Sequence, residues 1–332
     1  MTDKLLDNIV KDFDRHLFNS VSSIKEKLDY YRQLSKSGLS NLSDEQFIKL
    51  QIDIKKFFNI QFTTFTDAYP TKLYRISFNK SITNQDRGGT LKKVTQILGP
   101  PADKSNFNRC NLPGESIFYC SLDFNTAVWE TKPKFDDVIT ISEWEIKEGE
   151  KLMLHTIFNH PDIDNVNDDA RKAYEGYLKE MDKVHPKQYN LIDTIIKFIT
   201  EEFIKTVDKD KPREYLFSAY FASELFRPST DIIRIEAIAY PSIQRKFGVT
   251  NLAIINSLVL QKLELVASTT IDVLSSNYEI DPTSNEPLLG VFPAYRRITE
   301  FDIENDKIIY PDPQIELQHT IEKMMKPKNN NN

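Results

Sequence analysis

Apolar residues recur at helical spacing from the start of the chain: Leu5, Leu6, Ile9, Val10, Phe13, Leu17, Val21, Ile24 and Leu28. Residues three and four apart share one side of a helix, so the pattern predicts a long amphipathic helix. The Ser-rich stretch from Ser35 to Ser43, with Gly38 inside it, ends that helix. Ser43 followed three residues later by Gln46 is a capping box, and Phe47, Leu50, Ile54, Phe57 and Phe58 give the next helix an apolar face. Residues 1–66 are therefore expected to form an N-terminal helical hairpin. Nothing in it suggests catalysis. Two uses fit it: a packing element that covers the following domain, or an arm for homo-oligomerisation or partner binding.

After Pro70 the period changes to two. Lys72–Phe78 reads as a strand, with Leu73, Arg75 and Ser77 on one face and Tyr74, Ile76 and Phe78 on the other. An Arg among apolar residues needs an anion or a carboxylate if it is buried; otherwise it lies on a solvated face. From Asn108 to Glu130 a polar turn (Arg109–Gly114) leads into an apolar strand (Ile117–Cys120) and then a helix, with Asp123 or Asn125 as its N-cap. This gathers Arg109, Tyr119 and Glu130 around one strand-to-helix corner. They form either a surface Arg with a helix-face Glu, or a site on a rigid scaffold.

Further on, Val138–Ile146 is a strand with Thr140, Ser142, Trp144 and Ile146 on one side, and Leu152–Ile157 is a third. Residues 159–190 turn polar and acidic and read as a partly helical insertion. The acidic run lacks the glycine at the sixth position of a calcium loop. Helices are expected over Leu191–Val207 and Arg213–Phe226, followed by a helix-to-strand passage from Ile232 to Ser242 and a strand at Leu252–Ile255. Leu263–Ile280 and Leu288–Tyr310 read as more strands and turns. The polar tail, residues 316–332, is expected to end in disorder.

Composition narrows the function. At 332 residues with 40% hydrophobic content, the chain can form one large domain or two ordinary ones. A net charge of −6 supplies no basic field for nucleic acid or an acidic membrane. Only 9 glycines leave few phosphate-cradling loops, and Asp86-Arg-Gly-Gly89 has neither the spacing nor the Lys-Ser/Thr of a P-loop. Cys110 and Cys120 make neither a disulfide framework nor a zinc site, and His155, His160 and His185 have no metal spacing. Ser242 has no nearby His or acid to activate it, so a positioning hydrogen bond suits it better than nucleophilic attack; as a turn Ser it could equally cap its own backbone. Without an apolar leader or a run of about 18 apolar residues, the expected location is the cytoplasm.

Three pieces now stand in order. They are Leu73-Tyr-Arg-Ile-Ser77; Arg109-Cys-Asn-Leu-Pro-Gly114 with Ile117-Phe-Tyr-Cys-Ser121 and Thr126-Ala-Val-Trp-Glu130; and Ala239-Tyr-Pro-Ser242 followed by Gly248 and Asn251. Together they resemble the RES domain family, many of whose members are toxins of bacterial toxin–antitoxin pairs. The likeness spans roughly residues 70 to 260, and 67–315 is taken as the domain. It implies an α+β fold like that of ADP-ribosyltransferases, a split, bent β-sheet with flanking helices and a cleft for NAD. It also implies cleavage of the nicotinamide–ribose bond by water or phosphate, with NAD as substrate and no cofactor.

Carried over, Arg75 matches the first-strand Arg, Tyr119 the strand Tyr, Glu130 the Glu and Ser242 the Ser, with Arg109 at a basic position before the glycine turn. Tyr74 is counted with the substrate-binding residues. Breaking the nicotinamide bond passes through an oxocarbenium-like sugar and expels a leaving group that is already cationic. That chemistry needs a carboxylate at the ribose (Glu130), a guanidinium for the diphosphate (Arg75, then Arg109) and an aromatic wall (Tyr119). Ser242 would hold the nicotinamide amide or orient Glu130. A protein ADP-ribosyltransferase and a non-catalytic binding module are the alternatives. An antitoxin or regulatory protein is the implied partner. The helical arm and the acidic insertion depart from the compact family pattern and leave room for a control element within the chain.

Overall fold

The computed structural model describes residues 21–57, 72–84, 89–158, 167–227, 234–244, 248–274, 278 and 294–311. The expected start of the first helix, the turn residues Asp86 to Gly88, residues 159–166 and the C-terminal tail lie outside them. The chain is of mixed α+β class and divides into two compact units. One comprises Met1–Tyr69, Pro100–Phe118 and Leu152–Ile255; the other comprises Pro70–Gly99, Tyr119–Lys151 and Asn256–Asn332.

The first unit holds most of the helix. Its elements are α1 (Val21–Ser37), α2 (Asp44–Phe57), β4 (Leu154–Thr156), α5 (Asp168–Met181), α6 (Pro186–Ile204), α7 (Leu216–Phe226), β5 (Ala237–Pro241) and β6 (Thr250–Ile255). The Ser43–Gln46 box forms: Ser43 N donates to Gln46 Oε1 at 2.9 Å, and Gln46 N to Ser43 Oγ at 3.2 Å. It aims the buried side chains Phe47, Leu50 and Ile54 of α2 inward. Tyr31 of α1 is fully buried, with its ring against Phe57 (5.5 Å), Phe198 (6.2 Å) and Phe217 (5.1 Å), so α1, α2, α6 and α7 meet around one tyrosine. All eleven residues of α7 are buried, which explains its lack of an amphipathic stripe. β4 runs parallel to β5, and β5 antiparallel to β6. In the expected helix-to-strand passage, residues 234–236 are irregular and β5 begins at Ala237.

The second unit is built on strands in the order β2-β1-β3-β7-β8: β1 (Leu73–Phe78), β2 (Ile117–Ser121, of which Tyr119 onward belongs here), β3 (Val138–Ile146), β7 (Leu263–Asp272) and β8 (Ala294–Ile298). Their pairings are antiparallel. Helix α4 (Phe124–Thr131) follows β2 directly, while α3 (Asn79–Thr83) and α8 (Asn256–Lys262) are short. Ala127 and Val128 of α4 pack on Ile76, Ile139, Ile141, Ile271 and Val273, with Tyr74 and Phe78 at the margin. The alternation read from the sequence therefore holds: the Tyr74–Ile76–Phe78 face lies under α4.

The opposite face is unusually polar. Arg75 pairs with Ser142 and Ser142 with Ser268; Ser77 pairs with Thr140 and Thr140 with Thr270. Directly opposed residues share a face, so these five hydroxyl residues and Arg75 lie together. All five hydroxyl residues are buried. Thr140 Oγ1 donates to Asn79 Oδ1 at 2.8 Å, and Trp144 Nε1 to Ser142 Oγ at 2.8 Å. Asn79 Nδ2 donates to Gly89 O at 2.7 Å and so ties the segment after α3 to this face.

Candidate functional site

Four of the six candidate residues lie in the second unit, on two neighbouring strands and the helix that follows. The cap of α4 is Asp123, not Asn125: its side chain accepts from Thr126 N at 2.9 Å and from the Thr126 hydroxyl. A carboxylate at a helix N-terminus satisfies a free N–H and opposes the positive end of the dipole. The helix start is thus held close to the end of β2, and Glu130 sits in the last turn, half-buried. Lys132 follows as a left-handed C-cap, φ 47°, with its N–H bonded to Val128 O.

Tyr74 pairs with Ser121 across β1 and β2. By strand alternation Tyr119, two residues before Ser121, shares that face. Tyr74, Tyr119 and the helix that bears Glu130 are therefore on one side of the sheet, and all three side chains are half-buried. Arg75 leaves β1 on the other side. Its Nη1 donates to the main-chain carbonyl of Tyr119 at 2.8 Å, which fastens β2 to β1 at the level of the two tyrosines. Burial lowers the guanidinium pKa to about 10, so it keeps its charge at neutral pH. The same burial pushes the thiol of neighbouring Cys120 well above its ordinary range, so it stays protonated and unreactive.

Arg109 and Ser242 belong to the first unit. Arg109 is buried; its Nη1 donates to Phe203 O and its Nη2 to Lys205 O at 3.2 Å. The guanidinium lies 5.1 Å from the Tyr215 ring centroid and 5.9 Å from that of Tyr240. This is a cation at the negative end of α6, bonded to carbonyls that have no partner within the helix. Ser242 is fully buried just past β5, and its N–H donates to Val249 O at 2.8 Å, closing the turn before β6. Tyr240, against which Arg109 packs, stands two residues before it.

The hydroxyl row beside Arg75 is what residue-by-residue reading missed. Ser77 Oγ is buried and makes no hydrogen bond. The available signal was hydroxyl residues two apart on separate strands: Thr140 and Ser142, then Ser268 and Thr270. Register alone brings them beside Ser77, and register is not visible from one strand. Among the described residues no group of three or more His, Cys, Asp and Glu could hold a metal ion, and no helix is long and apolar enough to cross a membrane. Compared with known proteins, the chain matches no family model and no curated sequence.

Proposed function

We propose that this chain cleaves the nicotinamide–ribose bond of NAD, with Glu130 as the carboxylate beside the ribose. The reading rests on the ordered RES-like motifs. The observation that supports it best is the shared face of Tyr74, Tyr119 and α4. Residues far apart in the sequence come to one side of two adjacent strands, on a helix whose start is capped and whose Ala127 and Val128 are packed. Rigid support of this kind is what a charge-stabilising site requires.

In this reading Glu130 interacts with the ribose hydroxyls and stabilises the positive charge that grows as nicotinamide departs. Tyr74 and Tyr119 supply the aromatic wall. Arg75, on the opposite face of the sheet, is a positioning residue: it holds Tyr119 in place through its carbonyl. Water as acceptor yields nicotinamide and ADP-ribose; phosphate yields nicotinamide and ADP-ribose 1″-phosphate. The fold belongs with the split, bent sheets of ADP-ribosyltransferases.

The test is incubation of the purified protein with NAD, with and without phosphate, following nicotinamide and its partner product by chromatography. Glu130→Gln is expected to slow release by roughly 100–1000-fold, the usual loss for a charge contact made in the transition state. Wild-type rates from the Gln variant, or no nicotinamide from folded wild-type protein, would sink the reading. Label retained on a protein band would redirect it to a protein ADP-ribosyltransferase.

A further inference from the structure

Glu130 stands one residue from the end of an eight-residue helix, where the last turn frays unless something outside the helix holds it. Two bonds close that turn from within: Thr131 Oγ1 donates to Ala127 O at 2.9 Å, and Lys132 N to Val128 O at 2.8 Å. Neither reaches beyond α4. The residue before Glu130 is fixed by packing. Trp129 is buried, and its indole Nε1 makes no hydrogen bond. Its ring meets that of Tyr278 edge to face, with centroids 5.4 Å apart and planes at 81°, and Lys132 Nζ lies 5.9 Å from its centroid.

The turn after Glu130 is tied to the same tyrosine. Lys132 leaves the helix with φ 47°. A left-handed backbone is costly for a residue with a side chain, so the turn persists only while its surroundings hold it. The Tyr278 hydroxyl donates to the main-chain carbonyl of buried Pro133, 145 positions away in the chain. Beyond it, Asp136 N donates to Val273 O and Val273 N to Asp137 O, both at 2.9 Å, which seats the connection to β3 on the end of β7. One side chain thus touches both the residue before Glu130 and the turn after it, all within the second unit.

We infer that Tyr278 is a positioning residue for Glu130: its ring on Trp129 and its hydroxyl on Pro133 together fix the last turn of α4 and so the direction from which the carboxylate meets the ribose. This rests on the reading of Glu130 as the ribose carboxylate. Tyr278 itself touches no substrate. The hydroxyl carries as much of the role as the ring, because a ring alone packs Trp129 and leaves the turn after Glu130 unfastened. Charge-stabilising groups lose rate steeply when displaced, even slightly.

Tyr278→Phe keeps the ring and removes only the hydroxyl. Nicotinamide release at saturating NAD is expected to fall about tenfold, with KM within about twofold, because the displaced group acts in the transition state. In a Glu130→Gln background the same change should cost less than about twofold, since no carboxylate is left to position. A purely structural loss would instead lower the rate by one factor in both backgrounds. Hydrogen exchange gives a readout that needs no chemistry: the Lys132 amide should exchange about fivefold faster in Tyr278→Phe, the usual effect of one lost hydrogen bond. Unchanged exchange there, an unchanged kcat, or equal losses in the two backgrounds would overturn the positioning role while nicotinamide release by the wild type still stands. No release from the wild type would remove the reading of Glu130 and this role with it, so the two failures are told apart.

Discussion

Arg109 shows what one residue's surroundings add to its identity. An Arg before a glycine turn was legible as a cation worth attention, but its partners were not. Two carbonyls at the end of α6 and two aromatic rings come from segments far away in the chain, and no local pattern marks them. Removing the guanidinium leaves buried carbonyls without donors, at roughly 1–3 kcal/mol for each group. Arg109→Leu is expected to destabilise the protein by about 3 kcal/mol in urea unfolding. Arg109→Lys should recover little of this, because one ammonium cannot span both carbonyls and pack between the rings. Near-wild-type stability with an altered response to NAD would instead return Arg109 to a substrate role.

Elements were readable wherever a local signal ends them. The Ser43–Gln46 box, the break at Gly38, the strand at β1 and the strand-to-helix corner at β2–α4 each follow from a few neighbouring residues, and each forms. The missed elements lack such signals. Helix α8 joins β6 to β7 with no glycine or proline between them, so Asn256-Ser257 reads as the turn after the strand Leu252–Ile255 and the seven-residue helix it begins is not marked. The five-residue α3 owes its place to buried Asn79, whose partners are remote. Pro212–Tyr215 is a tight 3-10 turn ahead of α7, where the sequence reads as one helix. Asp123 is the element-scale device nearest the candidate site. Asp123→Ala should cost about 1 kcal/mol, the usual value of a lost cap, and Asp123→Asn much less. If both variants unfold at the wild-type urea concentration, the cap does not hold α4 and the rigidity argued for Glu130 loses its support.

At the scale of the molecule, the pH dependence of stability separates the two units. His155 of β4 is buried against Phe221, 5.7 Å between ring centroids, and burial lowers its pKa to about 3. The unfolded chain binds a proton there near the ordinary histidine value of about 6.5, and the folded chain does so only near 3. The contribution is therefore complete above about pH 6.5 and drains away as the pH falls towards 3, by a few kcal/mol in all. Glu202 acts with the opposite sign. Its raised folded value means that stability declines as the pH rises from about 4.5 to 7. The two nearly cancel between about pH 4.5 and 6.5, and below that window the histidine acts without this opposition. Both groups sit in the first unit, which also contains the long helices α1, α2, α5, α6 and α7, so far-UV circular dichroism reports chiefly on it. Both tryptophans, Trp129 and Trp144, lie in the second unit, so fluorescence reports on that one. Urea unfolding followed by both signals from pH 3 to 7 should show the dichroism midpoint falling with acid in wild type, and falling much less in His155→Leu. Parallel curves for the two proteins would mean that His155 is charged in the folded state and the burial argument fails. If the fluorescence midpoint follows the dichroism, the units unfold together; if it holds still while the dichroism moves, they unfold as separate cooperative bodies.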